Sequence, residues 1–133
     1  MTRVANLMNR GLQSISYDVV ICDAAEKMMK QKISSLLIEK DGEVVGIVTD
    51  TDIVRKAAAK RLPLDREKVG TVMSNPIVSL DISRSPEDAF DLMGEIGTRH
   101  LAVTDRGKIV GILSVRDLLI YFRKQSEPQM GVD

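Results

Sequence analysis

Gly46-Ile47-Val48-Thr49-Asp50-Thr51-Asp52 is written twice in this chain, the second time as Gly111-Ile112-Leu113-Ser114-Val115-Arg116-Asp117. Each copy reads as an apolar strand opening on glycine, then a hydroxyl, then a carboxylate three residues further on. A hydroxyl and a carboxylate leaving a strand end at that spacing can hold a phosphate and a ribose. The same spacing also describes a helix start, with Thr49 or Ser114 as N-cap and Asp52 or Asp117 as the acidic third helical residue. The two roles can coexist.

Working outward, the halves align without a gap at a constant offset of 65 positions, 111 against 46. Val4 falls on Val69, Met8 on Met73, Ser14 on Ser79 and Asp23-Ala24 on Asp88-Ala89. Met28 falls on Met93, Leu36 on Leu101, Gly42 on Gly107 and Val45-Gly46-Ile47 on Val110-Gly111-Ile112. The chain is therefore a tandem repeat, read as repeat one over 1–62, repeat two over 63–125 and a fraying tail over 126–133.

Within each copy the pattern predicts the same elements. Val4 to Met8 and Val69 to Met73 form short lead-in turns. Weak strands follow at Leu12 to Ile15 and Ile77 to Leu80, the latter after the turn signal Ser74-Asn75-Pro76. Apolar residues at spacings of three and four predict a helix from Asp23 to Gln31. Its counterpart opens with Ser85 as N-cap, Pro86 at the first helical position and Glu87-Asp88 in the positive first turn. Hairpins come next, turning at Asp41-Gly42 and Arg106-Gly107, where glycine supplies the positive φ such turns need. Their return strands, Val44 to Val48 and Ile109 to Leu113, are apolar throughout and are expected to be buried on both faces. Asp50 to Lys60 and Val115 to Lys124 are the closing helices. The short join from Arg61 to Asp65 has no Gly/Ser run, so the copies are expected to pack against each other.

Composition narrows the function. Of 133 residues, 44% are apolar, and Lys plus Arg equals Asp plus Glu at 19 each. A balanced chain lacks the basic footprint of a general nucleic-acid binder. Cys22 is the only cysteine, which excludes a disulfide framework and a cysteine metal cluster. No signal-peptide core opens the chain and no apolar run approaches the roughly 18–20 residues of a bilayer span. A soluble, cytoplasmic protein without a membrane partner is expected. The single His has no nucleophile partner in view, and no metal-ligand spacing or Gly-rich phosphate loop is present, so no enzyme is expected. The methionines within the repeats, Met8, Met28, Met29, Met73 and Met93, read as gap-filling core in an aromatic-poor interior rather than as a thioether metal site.

The Val-x-x-x-Met lead-in, the Asp-Ala-x-x-x-Met helix, and Asp/Arg-Gly-x-x-Val-Gly-Ile before Thr/Ser-x-x-Asp together resemble a pair of cystathionine-β-synthase (CBS) domains, a Bateman module. The resemblance covers about Val4 to Arg123, and its specificity lies in all the pieces recurring in order. It implies an α+β fold of two βαββα repeats packed sheet to sheet about a pseudo-twofold axis. It also implies pairing of such modules through their helices into a homodimer, and clefts that take adenosine nucleotides or related adenosyl compounds.

That resemblance assigns the candidate site. Asp52 and Asp117 stand where the family carries a ribose-binding carboxylate, with Thr49 and Ser114 three residues earlier. Arg99 and His100 of copy two occupy the place of Ser34 and Ser35 in copy one, where similar modules often carry phosphate-reaching basic residues. One cleft is expected to combine Thr49 and Asp52 with Arg99 and His100, with Ile77 and Val78 facing adenine. The other combines Ser114 and Asp117 with Leu12, Gln13 and Ser14, and Arg116 partly compensates its lower charge. Arg99 also reads as a solvated strand-edge charge, and His100 as a structural histidine. The functional expectation is a regulatory module that senses an adenine nucleotide, with no obligatory cofactor and an unidentified regulated protein as partner. The rivals are a ligand-free structural dimerisation module and a nucleic-acid-binding accessory, which the zero net charge disfavours.

Overall fold

Both repeats fold along the same line of elements in the computed structural model, which describes residues 1–127. After a 3₁₀ turn at Val4–Asn6, repeat one runs β1 (Ser14–Ser16), α1 (Ile21–Gln31), β2 (Ser35–Lys40), β3 (Glu43–Thr49) and α2 (Asp50–Asp52), which continues as a π-helical segment at Ile53–Ala58. After a second 3₁₀ turn at Val69–Thr71, repeat two runs β4 (Ser79–Asp81), α3 (Pro86–Ile96), β5 (His100–Asp105), β6 (Lys108–Ser114) and α4 (Val115–Ser126). The βαββα expectation holds, and the fold is α+β with two three-stranded sheets, ordered β1-β2-β3 and β4-β5-β6. In each sheet the first pairing is parallel and the second antiparallel.

The structure forms two compact units, one of Gln13–Val78 and the other of Met1–Leu12 with the chain from Ser79 onward. Each unit thus contains the strands and helices of one repeat and the lead-in turn of the other. In the first unit Ser74 and Ile47 exchange backbone hydrogen bonds of 2.7 and 3.0 Å. In the second, Asn9 and Ile112 do the same at 2.9 and 3.0 Å. The glycines of the repeated stretch make this approach possible. A Cβ on Gly46 would lie 2.6 Å from Met73 Sδ and 3.0 Å from the Ser74 carbonyl oxygen, and one on Gly111 would meet the Met8 side chain.

Local sequence accounts for most element ends. Both hairpins turn with two positive φ values, 54° and 79° at Asp41-Gly42 and 52° and 80° at Arg106-Gly107, the pattern of a type I′ turn. Ser85 caps α3 as expected, accepting from the Asp88 N–H, and Asp88 returns the bond. The Arg84 guanidinium, 2.9 Å from Asp88, and the Ser85 N–H hold that carboxyl below its ordinary 3.8. Helix α1 starts two residues before the sequence places it and has no side-chain cap. Its first donors go instead to the joining segment, Ile21 N–H to the Glu67 carbonyl at 2.9 Å and Cys22 N–H to that of Leu64 at 2.8 Å.

Two strand expectations need correction. The first strands begin at Ser14 and Ser79, not at Leu12 and Ile77, because parallel pairing starts only at Ser14↔Leu37 and Ser79↔Ala102. Leu12 and Ile77-Val78 lie outside these ladders, at the boundaries of the two units. The return strands are not buried throughout. A bulge at Ile38/Glu39, and its equivalent at Val103/Thr104, breaks the alternation, leaving Val44 exposed and Val45, Ile109 and Val110 half-buried.

The core of the Gln13–Val78 unit joins Ile21, Ala24 and Met28 of α1 to Leu36, Ile38 and Val48 of the sheet, Ala57 of the π segment, and Val69 and Val72 of the exchanged turn. Of the methionines expected in the core, Met8, Met28 and Met93 are buried and Met73 is half-buried, but Met29 is 68% exposed because it lies on the outer face of α1. Helix α4 reaches Ser126; the rest of the tail expected to fray, from position 128, lies outside the described residues. Among the described residues no helix is long and apolar enough to cross a membrane.

Candidate functional site

The repeated hydroxyl–carboxylate stretch folds in both copies into a reciprocal cap at the end of the return strand. At the first corner Thr49 Oγ1 accepts from the Asp52 N–H at 3.2 Å, while Thr49 N–H donates to Asp52 Oδ2 at 3.0 Å. At the second, Ser114 Oγ accepts from the Asp117 N–H at 3.3 Å and Ser114 N–H donates to Asp117 Oδ2 at 2.8 Å. Such a box satisfies helix-start donors and fixes both oxygens of the carboxylate in space.

The surroundings of the two carboxylates differ. Asp52 is only 6% exposed. Its Oδ1 accepts from Ser74 Oγ at 3.0 Å and meets Lys56 Nζ at 2.9 Å. Ser74 Oγ also lies 3.2 Å from Oδ2 and accepts from Lys56 Nζ at 3.1 Å. Asp52, Ser74 and Lys56 thus close a triangle over the first corner. The matching positions in copy two carry Asn9 and Tyr121. The Asn9 side-chain oxygen is taken by the Gly11 N–H at 2.9 Å, and Tyr121 lies edge-on to Phe122 at 5.3 Å between centroids. Asp117 is half-buried, and among the described residues its Oδ1 accepts no hydrogen bond.

Arg99 and His100 fall beside the second corner of their own unit. The Arg99 carbonyl accepts from the Val115 N–H at 2.8 Å, and His100 pairs with Ser114 across the β5–β6 ladder. His100 is 7% exposed, with its backbone bracketed by the Thr98 hydroxyl. Arg99 and Arg116 are both exposed. The backbone of this unit therefore brings Arg99, His100, Ser114, Arg116 and Asp117 to one strand end. Leu12, on the same unit, is exposed.

The Gln13–Val78 unit holds the other sequence-selected residues. Gln13 accepts from the Leu37 N–H at 3.0 Å through its carbonyl, and the Ser14 carbonyl accepts from Lys27 Nζ at 3.3 Å. Ile77 and Val78 are half-buried apolar side chains at its C-terminal end. Sequence reasoning passed over Lys56 and Ser74. The Asp52–Lys56 spacing of four was a visible signal for the first, whereas Ser74 reads only as part of a turn. Among the described residues no group of three or more His, Cys, Asp or Glu side chains could hold a metal ion.

Comparison with known proteins agrees with this repeat. The CBS domain family matches residues 4–59 and again 69–124. The protein MJ0450 of Methanocaldococcus jannaschii is 31% identical over 79% of this chain, which spans only 58% of that relative's length. A protein with CBS domains from Burkholderia ambifaria superposes with a TM-score of 0.89 at 26% identity, over 97% of this chain and 99% of the other. A CBS-CP12 protein of bloom-forming cyanobacteria, described as hexameric, superposes with a TM-score of 0.84 at 26% identity, over 98% of this chain and 78% of its own.

Proposed function

We propose, from the premise that this chain belongs to the CBS-domain family and carries two such repeats, that it is a regulatory module whose ligand is an adenosine-containing small molecule such as AMP, ADP or ATP. The observation that carries the reading is the duplicated corner, in which a helix cap presents a fixed carboxylate at each return-strand end. A ribose offers two vicinal hydroxyls to such a carboxylate, and charge-assisted bonds shielded from water are worth about 1.5–3 kcal/mol each. At Asp117 an acceptor oxygen is open for them, and the exposed Arg116 and Arg99 supply charge suited to a phosphate.

The mechanism is linkage: a ligand that prefers one conformation shifts the population toward it. At a hundred times Kd this stabilises the bound form by about 2.7 kcal/mol, enough to alter the docking of a regulated partner. Thermal unfolding with AMP, ADP, ATP, NAD and S-adenosylmethionine tests the ligand. A rise in Tm with at least one adenine nucleotide, reduced in Asp117→Ala, is the expected result; no shift with any of the five overturns the reading.

A second reading, self-association through the helices, has its own observation. Phe90 of α3 and Leu119 and Ile120 of α4 are 49%, 58% and 45% exposed, large apolar side chains on neighbouring helices of one unit. The assembly recorded for the cyanobacterial relative accords with it. In this reading copies of the chain cover these side chains in a homodimer, with or without ligand.

A further inference from the structure

Asp52 and Asp117 hold equivalent positions in the repeat, yet a ribose meets different conditions at each. At Asp117 the hydroxyls find Oδ1 open. At Asp52 both oxygens are engaged, and the strongest partner, the Lys56 ammonium at 2.9 Å, is cationic. A neutral diol entering there must displace an ammonium and a hydroxyl from a buried carboxylate, exchanging a contact between two full charges for bonds in which only the carboxylate is charged. Adenosine alone offers nothing in return.

Lys56 is not locked in place. Its side chain is 42% exposed on a flexible four-carbon stem, and it lies in the π-helical segment directly after Asp52. The ammonium can move away from Asp52 if another anion takes it, and a phosphate on the same ligand is such an anion. The ribose then gains the carboxylate while the phosphate holds the lysine.

On these grounds we infer that Lys56 is a specificity-determining residue, which makes the Asp52 corner select phosphorylated adenosine over adenosine, whereas at the Asp117 corner no ammonium has to leave the carboxylate before a ribose binds. Ser74 is its positioning partner, since it bonds both Asp52 and Lys56. The inference rests on the adenosyl reading above and refines it.

Isothermal titration of the full chain with adenosine and AMP tests it, in an Asp117→Asn background that leaves the Asp52 corner to be measured. AMP is expected to bind at least about tenfold tighter than adenosine, the effect of one charge-assisted contact. Lys56→Met should strengthen adenosine and weaken AMP, collapsing the ratio toward one, and Lys56→Arg should keep the preference. Ser74→Ala should strengthen both ligands with little change in their ratio, which general loosening of the fold would not produce. A ratio unmoved by Lys56→Met overturns the role of Lys56 and leaves the adenosyl reading standing. So does loss of both ligands on Asp117→Asn when the native chain binds them. Binding of neither ligand to the native chain or any variant overturns the role of Lys56, and the adenosyl reading falls with it only if ADP, ATP, NAD and S-adenosylmethionine also leave Tm unmoved.

Discussion

The two corners share a backbone and differ in their neighbours. Around Asp52 a lysine four residues on and a serine from the lead-in turn close over the carboxylate; around Asp117 the same places hold a tyrosine and an asparagine that bond elsewhere. Duplication has kept the cap, which any helix start at that strand end needs, while the side chains above it have diverged. One corner has become a satisfied, internally neutralised site and the other an open one with cationic groups beside it. A motif repeated in sequence is therefore not a site repeated in chemistry.

The largest effect that can break this comparison comes from the glycines beneath the corners. Gly46→Val and Gly111→Val both force a methionine off its seat, at about 1–3 kcal/mol each by overpacking. Gly46 should lie at the upper end, because its new Cβ would also press on the Ser74 backbone carbonyl. Urea denaturation measures this, and Met8→Ala should relieve the Gly111 variant better than Met73→Ala relieves the other. Equal losses and equal relief would mean that the backbone contact does not distinguish the two seats.

Removing the carboxylates sharpens the contrast at the corners themselves. Asp52→Ala leaves Ser74 and Lys56 without their common acceptor and should cost about 2–3 kcal/mol. Asp117→Ala loses only the cap and should cost about 1 kcal/mol. Chemical denaturation without ligand should rank them in that order; the reverse order would refute the closed triangle.

The smallest effect tests the other asymmetry, between capped α3 and uncapped α1. Asp88 has its carboxyl lowered by Arg84 and by the cap, so its contribution to stability is complete above 3.8 and is lost as pH falls through the lowered folded value. Denaturation midpoints followed from about pH 5 to about pH 2 should fall less steeply in Arg84→Ala than in the native chain. Identical slopes would show the pair to be inert, as exposed pairs often are.

Much of this was legible in the sequence. The constant offset gave the repeat, and with it the order of elements, the I′ turns at Asp41-Gly42 and Arg106-Gly107, and the caps at Thr49, Ser85 and Ser114. These depend on residues within four positions of one another, where spacing is a sufficient guide. What escaped depends on distance. Ser74 reaches Asp52 across 22 residues, and it does so as part of the other repeat's lead-in turn. Aligning the copies pairs Ser74 with Asn9 and so conceals that it belongs over Asp52. The reason for Gly46 was hidden likewise, because the methionine that requires it comes from repeat two. Helix α1 looked poorly begun for the same cause: its missing cap is supplied by carbonyls of the joining segment.

The exchanged lead-in turns also set an order of assembly during synthesis. The Gln13–Val78 unit is continuous, so every partner it needs has been made once Ser74 and the residues just after it have left the ribosome. The other unit is split across the chain: Val4, Met8 and Asn9 emerge before the first unit, but their partners at Arg84, Gly111 and Ile112 emerge only after it. Residues made before the first unit thus find their place only after it. A chain stopped after its first repeat would carry an apolar turn with nothing to receive it and a sheet still waiting for its own.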